Sequence, residues 1–313
     1  MYLMYPYCFP TDKVAGTISF PKGFPTLMTE PRQSGVLYKM DADTLKPVES
    51  DTGWENATAL LAYYRYVLIV RKGVLIKMDT HPNFRPILSD AGWGNTKLIA
   101  GADGKHIFLI RDGVLIKMNM DTLKPVASDT GWGNARLMAG VGSSLYIVRG
   151  DDLIKVNAKT LTEERRDSGW EDATLLTAPG DSYIYLVRRG VLIKMTESTL
   201  TPVASDTGWE GATLMAGAGR TIYLVRKGVL IKMNSSTLKP LAYDTGWENA
   251  TLMSSLYYVY LVRKEANRFR NTEQVYGGYA DYRQQSCQLS MPRPPYYYHL
   301  SCYPYYPYYP YYQ

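Results

Sequence analysis

One tetrapeptide recurs along most of this chain and constrains its fold more than any other feature. All six tryptophans lie in the sequence Asp-(Thr/Ser/Ala)-Gly-Trp. They are Trp54, Trp93, Trp132, Trp170, Trp209 and Trp247, and successive copies are 38 or 39 residues apart. A period this regular is typical of a repeat architecture, in which each unit packs on the next.

Each repeat contains four short extended runs. In the copy that begins at Trp209, the runs cover residues 212–216, 222–226, 229–233 and the stretch from Pro240 to the next tetrapeptide. Val, Ile, Leu and Tyr dominate them, and Gly, Ser or Asn separate them, as strands and turns require. A pair such as Lys227-Gly228 predicts a tight hairpin between the second and third runs. No helical spacing is sustained, and a proline recurs in most units.

Four strands in about 39 residues, repeated six times, predict an all-β fold, a six-bladed β-propeller of four-stranded blades. The array begins with half a unit, residues 35–48, and ends with the complementary half, residues 246–263. We therefore expect the ring to be closed by N- and C-terminal half-blades, which removes free sheet edges. Residues 23–28 are interpreted as a decayed remnant of the missing half. Two β-trefoils are the alternative fold, and a linear β-solenoid ranks third.

The segments that flank the repeats differ from them in composition. The domain prediction is an irregular N-terminal segment at 1–32, a six-repeat propeller at 33–264 and a disordered Tyr/Pro-rich tail at 265–313. From Tyr296 the tail alternates tyrosine with proline, which favours extended conformations. Tyrosine rings in such a segment can contact a protein partner, and the bland alternative is an extension without specific function.

Bulk properties exclude several classes of protein. The net charge is +6, and the basic residues recur once per repeat instead of clustering, so no nucleic-acid partner is expected. The three cysteines, Cys8, Cys287 and Cys302, lie outside the repeats and predict neither a disulfide framework nor a metal site. No run is long enough to insert into a membrane, and the N-terminus lacks the features of a signal peptide. We therefore expect a soluble chain without cofactors, either cytoplasmic or granular or secreted by a non-classical route.

Three charged positions recur in every unit. An aspartate precedes each tryptophan by three residues, an arginine ends the second run, and a lysine lies in the third. The aspartates are Asp51, Asp90, Asp129, Asp167, Asp206 and Asp244; the arginines are Arg71, Arg111, Arg149, Arg188, Arg226 and Arg263; the lysines are Lys39, Lys77, Lys117, Lys155, Lys194 and Lys232. These rings of charge line either binding sites or a central channel, or else they serve the fold. The favoured interpretation is structural, with Asp accepting hydrogen bonds in the turn or pairing between blades.

The tryptophans and the residues after them are the candidate binding positions. A tryptophan either anchors the packing of blades or stacks one face on a sugar ring, and the two roles are compatible if one edge stays exposed. Asn or Asp follows in five of six copies: Asn56, Asn95, Asn134, Asp172 and Asn249. These side chains can bind sugar hydroxyls or an acetamido group, or they can simply form turns.

Catalytic constellations are missing from the sequence. His81, His106 and His299 are scattered and have no repeat-related counterpart. The sequence contains no phosphate loop, HExxH motif or Ser-His-Asp set. Uniform copies favour several equivalent binding sites, which combine by avidity on a multivalent target. We therefore expect a protein that is not an enzyme and has no catalytic or metal-binding residues.

The repeat resembles that of the tachylectin-2-like lectins. The likeness lies in Gly-Trp, then an apolar strand, then runs such as Ile222-Tyr-Leu-Val and Val229-Leu-Ile-Lys-Met, and it spans about residues 35–263. The resemblance implies a five-bladed relative of the fold and binding of N-acetylated amino sugars at repeated sites. On this basis Trp54, Trp93, Trp132, Trp170, Trp209 and Trp247 are candidate sites, with Asn56, Asn95, Asn134, Asp172 and Asn249 nearby.

Three functional hypotheses follow in order of preference. The first is a multivalent lectin whose partners are glycans or glycoconjugates. The second is a structural or protein-interaction scaffold whose Tyr/Pro-rich tail contacts a partner. The third is an enzyme, which would require one blade to differ in chemistry, whereas the repeats differ only modestly, for example at 150–152 (Gly-Asp-Asp) in the third hairpin.

Overall fold

The computed structural model describes residues 34–265. The described residues form 24 β-strands and no helix. The predicted irregular segment at 1–32, the interpretation of residues 23–28 as a remnant, and the predicted tail beyond Glu265 lie outside the described residues.

The strands fall into six antiparallel sheets of four, which we call blades I to VI. The first two strands of the chain are β1 Ser34–Asp41 and β2 Pro47–Thr52. Blade I contains β3 Ala57–Tyr63, β4 Tyr66–Arg71, β5 Val74–Asp79 and β6 Arg85–Ala91. Blade II contains β7 Thr96–Ala102, β8 His106–Arg111, β9 Val114–Asn119 and β10 Lys124–Asp129. Blade III contains β11 Ala135–Val141, β12 Ser144–Arg149, β13 Asp152–Asn157 and β14 Glu163–Ser168.

The second half of the chain repeats this pattern. Blade IV contains β15 Ala173–Thr177, β16 Tyr183–Arg188, β17 Val191–Thr196 and β18 Pro202–Thr207. Blade V contains β19 Ala212–Ala218, β20 Thr221–Arg226, β21 Val229–Asn234 and β22 Lys239–Thr245. The last strands are β23 Ala250–Ser255 and β24 Tyr258–Glu265. Blade VI joins both ends of the array in the order β2-β1-β24-β23.

The closure of the ring confirms the sequence prediction. In blade VI, β1 pairs with β24 without a register shift, from Ser34 opposite Glu265 to Asp41 opposite Tyr258. The first strands of the blades contact one another in cyclic order, and β23 contacts β3. The described residues therefore form one six-bladed β-propeller, and both the two-trefoil and the solenoid alternatives are wrong.

Hairpin turns of the predicted type connect the second and third strands. In blade V, Lys227 has φ 48° and Gly228 has φ 76°. Two successive positive φ values give the turn that matches the twist of a two-residue hairpin, and glycine adopts such a conformation without a steric penalty. Because the turn fixes the register, Arg226 pairs directly with Val229.

The core lies between neighbouring blades. Trp132, for example, packs against Leu115 of blade II and against Leu145 and Ile147 of blade III. Five further clusters repeat this arrangement around the ring, each containing one tryptophan. Since a single blade cannot cover both of its own faces, the stability of each blade depends on its neighbours.

Buried lysines on the third strands link most blades to the next one. Lys39, Lys77, Lys117 and Lys194 are 4–7% exposed. Their Nζ atoms donate to backbone carbonyls of the following blade, at Thr80, Met120, Ala158 and Ser235, over 2.7–3.2 Å. Lys232 reaches the Asp43 carboxylate at 2.8 Å instead, and Lys155 pairs with Glu164 of its own blade at 3.2 Å. This ring of lysines is therefore structural and does not line the central channel.

Small residues allow the innermost strands to approach each other closely. A Cβ built on Gly140 of β11 would stand 2.4 Å from the carbonyl oxygen of Gly101 in β7. By contrast, a Cβ on Gly133, in the turn that precedes β11, would meet nothing within 4 Å. Neither glycine has a positive φ, so the two sites differ mainly in the space around them.

Substituting Gly140→Ala should therefore destabilise the propeller by about 1–3 kcal/mol, because the added methyl group overpacks the contact between β7 and β11. Chemical denaturation measures this loss, and Gly133→Ala, which makes the same change in open space, is the matched control. Equal stability of the two variants would contradict the close approach of these strands.

Candidate functional site

The repeated tetrapeptide forms a compact hydrogen-bonded unit. In all six copies the indole Nε1 donates to the aspartate three residues earlier, over 2.7–2.9 Å. Each tryptophan backbone N–H also donates to a carbonyl in the hairpin or strand end beside it, for example from Trp209 to Gly190 at 2.8 Å. The glycine before each tryptophan has φ between 89° and 97°, a conformation that other residues rarely adopt.

An arginine of the next blade covers each tryptophan. The guanidinium carbons of Arg71, Arg111, Arg149, Arg188, Arg226 and Arg263 lie 4.8–5.8 Å from the indole centroids. Arg111, Arg149 and Arg263 also donate to the carbonyl of the glycine before the tryptophan, over 2.6–3.1 Å. Cation–π contact places all six arginines at the junctions between blades, and hydrogen bonding fixes these three further.

The three charged rings thus take part in contacts within and between blades, as the structural interpretation expected. The hydrogen bonds of the aspartates differ from those expected, because the main donor to each aspartate is the indole and not the turn backbone. Pairing between blades occurs at two of the aspartates, where Lys46 contacts Asp244 at 2.8 Å and Lys124 contacts Asp90 at 3.0 Å. These contacts explain why the same residue types recur in every copy.

The six tryptophans, Trp54, Trp93, Trp132, Trp170, Trp209 and Trp247, are only 2–4% exposed. Their faces are covered by core side chains and by the arginines, so their role as packing anchors accounts for their position. In this arrangement a sugar ring would meet the polar residues of the turn above the indole and not the indole face itself.

Those polar residues lie along one side of the ring. Asn56, Asn95, Asn134 and Asn249 are exposed, and Asp172 is half-buried. Two of the five are already engaged by the adjacent hairpin: Asn95 donates to Asp112 at 2.8 Å, and Arg189 donates to Asp172 at 2.6 Å. The amide of Asn134 has no hydrogen-bond partner among the described residues. The five positions are equivalent in the sequence repeat, but their side chains therefore differ in how available they are to a ligand.

Blade III has an open polar pocket at this position, which we call the blade III pocket. Its volume is about 380 Å³. It is lined by Gly131, Gly133, Asn134, Arg149, Gly150, Asp151 and Asp152. The amide of Asn134 supplies donors and an acceptor, and the two carboxylates supply acceptors only. Such a set suits a neutral ligand rich in hydroxyl or amide groups.

The absence of two side chains opens this pocket. Gly133 follows the tryptophan where four other copies have glutamate, and Gly150 occupies the hairpin position of Lys227. Glu210 and Glu248, the counterparts of Gly133, instead reach over the hairpin of the preceding blade, since a Cβ on Gly190 or Gly228 would stand 2.4–2.5 Å from their side chains; Gly133 leaves the corresponding space beside Gly113 of blade II free. The sequence did indicate that residues 150–152 differ from the other hairpins. It did not indicate which neighbouring side chains are missing around them.

The acidic residues of the pocket are held in place. Asp152 accepts from the Ser168 hydroxyl at 2.7 Å and from Arg166 at 2.5 Å, and these contacts lower the pKa of its carboxyl. Asp151 accepts from the backbone N–H of Glu171 at 3.1 Å. The orientation of both carboxylates is therefore set before a ligand arrives, which reduces the entropic cost of binding.

One half-buried glutamate lies at the junction of blades III and IV. Glu197, in the turn between β17 and β18, has an Oε1 atom without a hydrogen-bond partner among the described residues. Burial raises the pKa of this carboxyl, the nearby negative charge of Asp181 raises it further, and Lys155 opposes the shift. The backbone carbonyl of Glu197 accepts from the Tyr146 hydroxyl of blade III at 3.2 Å.

Residues 34–265 contain no cluster of three or more His, Cys, Asp or Glu side chains that could hold a metal ion. His106, the better placed of their two histidines, has its Nδ1 2.8 Å from the Asp103 carboxylate. This range consists of strands and turns, and it contains no helix that is long and apolar enough to cross a bilayer.

No family model and no curated protein matches the chain. Among solved structures it is similar to the WD40 domain of Neurospora crassa Pan2, at 9% identity and a TM-score of 0.49, over 63% of this chain and 68% of that one. It is also similar to KlHsv2 with its loop 6CD replaced by a Gly-Ser linker, at 5% identity and TM-score 0.47, over 63% and 70% of the chains.

An enzyme also occurs among the similar structures. Glutaminyl cyclase of Myxococcus xanthus shares 14% identity with a TM-score of 0.42, over 55% of this chain and 90% of that one. Likenesses this distant carry no functional information, and the strand order and closure of this chain define its fold.

Substituting Asp206→Ala should lower the free energy of unfolding by about 1.5–3 kcal/mol, because the buried indole N–H of Trp209 would lose a charged acceptor. Asp206→Asn is the matched control, since its side-chain oxygen can still accept and the loss should be smaller. Denaturant titration measures both, and equal losses would contradict this role of the aspartate.

Substituting Glu197→Gln should raise the melting temperature at neutral pH. The folded carboxyl keeps its proton to higher pH than the unfolded chain does, so its ionisation favours unfolding and stability falls as the pH rises above the ordinary value of 4.5. The gain should therefore vanish at acid pH, where both states are protonated. Thermal melts across this range test it, with the exposed Glu171→Gln as control; a gain independent of pH would refute the assignment.

Proposed function

We propose that this chain is a non-catalytic, multivalent carbohydrate-binding protein that recognises N-acetylated amino sugars or related glycans. The blade III pocket is the main support, because it combines an unpartnered Asn134 amide with two oriented carboxylates in a space of about 380 Å³. The resemblance of the repeat to tachylectin-2-like lectins supports the same ligand class.

Each part of the pocket suits a sugar. The Asn134 amide can donate to and accept from an acetamido group, and Asp151 and Asp152 retain free lone pairs for sugar hydroxyls. Gly133 and Gly150 leave room for the ring and the acetyl methyl group. The interactions are polar throughout, because the tryptophan below is covered by Arg149.

The sites around the ring are graded in strength. Asn134 and Asn249 have amides without a hydrogen-bond partner among the described residues, and Asn56 contacts only its neighbour Glu55, at 3.4 Å. Asn95 and Asp172 must first leave their hairpin partners. Two or three usable sites on one side of the ring are sufficient for avidity on a multivalent surface.

A protein-interaction scaffold is the second candidate, favoured by the outer strands. Five blades expose an aliphatic residue there, at 42–56% exposure, while blade III has Glu164 instead. These residues are Val48, Ile87, Val126, Val203 and Leu241. They form separate small patches, and scattered exposed aliphatics are common on soluble proteins. Folded protein that binds no glycan would shift the assignment to this candidate.

Agglutination of red cells, reversed by free N-acetylglucosamine or N-acetylgalactosamine, would establish multivalent sugar binding. In calorimetric titration with the sugar that reverses it, Asn134→Ala should weaken binding by about five- to tenfold, the effect of one good hydrogen bond.

The matched control for this titration is Asn95→Ala, which removes the same group where Asp112 already engages it, and which should leave the affinity close to that of the parent protein. An empty glycan array with folded protein would refute the proposal. If Asn134→Ala and Asn95→Ala changed the affinity equally, the blade III pocket would not be the sugar-binding site.

A further inference from the structure

The axis of the propeller contains a second cavity, distinct from the blade III pocket. Its volume is about 730 Å³, and the innermost strands of all six blades line it. The residue six positions after each tryptophan contributes to an apolar ring in its wall. This ring consists of Leu60, Ile99, Met138, Leu176, Met215 and Met253.

The wall of this axial cavity offers almost no charge. Asp103 is the acidic residue among its lining, and it is already bound to His106 at 2.8 Å and to Lys117 at 3.2 Å. The Ser254 hydroxyl accepts from the backbone N–H of Ala62 at 2.8 Å. Burial raises the pKa of the Tyr63 hydroxyl to about 12, so this group is neutral. A charged ligand would lose hydration here without gaining a counter-ion.

The mouth of the cavity breaks the symmetry of the ring. The β3–β4 hairpin of blade I and the β23–β24 hairpin of the adjacent blade VI present Tyr63, Tyr64, Leu256 and Tyr257. Tyr64 and Tyr257 are 51% and 69% exposed, and Tyr63 meets Tyr64 edge-on with ring centroids 5.0 Å apart. The corresponding turns of blades II to V, at 103–105, 142–143, 178–182 and 219–220, contain no aromatic residue. Tyr63 donates to the Ala102 carbonyl at 2.9 Å and so helps to join blades I and II. The exposed rings of Tyr64 and Tyr257, confined to one side of an otherwise regular mouth, indicate a function other than holding the ring together.

We propose that the axial cavity binds one uncharged, mainly apolar small molecule with a planar ring system, which enters past Tyr64 and Tyr257. The volume lies within the range of small-molecule sites, which are mostly apolar with few polar groups. The three methionines supply flexible, polarisable contacts that adapt to the shape of a ligand. The tyrosines at the mouth stack on its ring system.

This site is independent of the proposed sugar site. The first strand of each blade runs from the tryptophan turn to the hairpin at the mouth, so the blade III pocket and the aromatic mouth lie at opposite ends of the strands. The ligand classes differ as well, since the blade III pocket is polar and the axial cavity is apolar.

The test uses Nile red, an uncharged planar fluorophore, titrated into the full chain. Saturable enhancement with one dye per chain is expected. The double substitution Tyr64→Ser with Tyr257→Ser should raise the Kd about tenfold, because it removes two stacking contacts. Tyr243→Ser is the matched control, since Tyr243 is 62% exposed on the outer strand β22, away from the cavity, and its loss should leave the Kd unchanged.

A substitution inside the cavity completes the design. Met215→Gln places an amide in the apolar ring and should also weaken binding; if it fails to fold, the exposed mouth variants still decide the question. Dye binding that does not saturate, that exceeds one molecule per chain, or that responds equally to the mouth variant and to Tyr243→Ser would overturn the proposal.

Discussion

The contact between each tryptophan, its aspartate and the arginine of the next blade holds the ring together. The aspartate satisfies the indole N–H, and the guanidinium covers the indole face, so a large aromatic side chain can be buried at each junction without leaving its N–H unpaired. The lysines add hydrogen bonds to the following blade at most junctions. Because every blade depends on its neighbours, the same contact must recur at all six junctions, including the one that joins the two ends of the array.

This requirement separates structural residues from candidate functional ones. Residues that repeat in every copy are occupied by the fold, whereas the open features lie where the copies differ. The blade III pocket exists because Gly133 and Gly150 replace larger residues, and the aromatic mouth exists because Tyr64 and Tyr257 replace small or polar ones. A regular ring of this kind can therefore acquire ligand sites through single-blade substitutions without loss of its core.

The two proposed sites also differ in how they would gain affinity. The blade III pocket is polar and shallow, and its carboxylates are fixed by neighbouring groups, so single contacts are weak and several sites must act together. The axial cavity is apolar and lies on the symmetry axis, so there is one per ring and its affinity must come from burial of a single ligand. One propeller can thus combine multivalent recognition on one side with monovalent binding on the other.

The sequence alone determined the number of blades, the four strands of each repeat, with bounds within one or two residues in the copy that begins at Trp209, and the closure by two half-blades. These features depend on local patterns, namely alternating apolar runs, Lys-Gly hairpins and the spacing of tryptophans, which are visible in one dimension. It did not determine which repeated residues remain available to a ligand. Asn95 and Asn134 occupy the same place in their repeats, yet the first is bonded to Asp112 and the second is not. Only the tertiary structure decided this, because the availability of a side chain to a ligand depends on its neighbours from other strands. A single missing side chain among those neighbours opens a pocket that the repeat pattern does not predict.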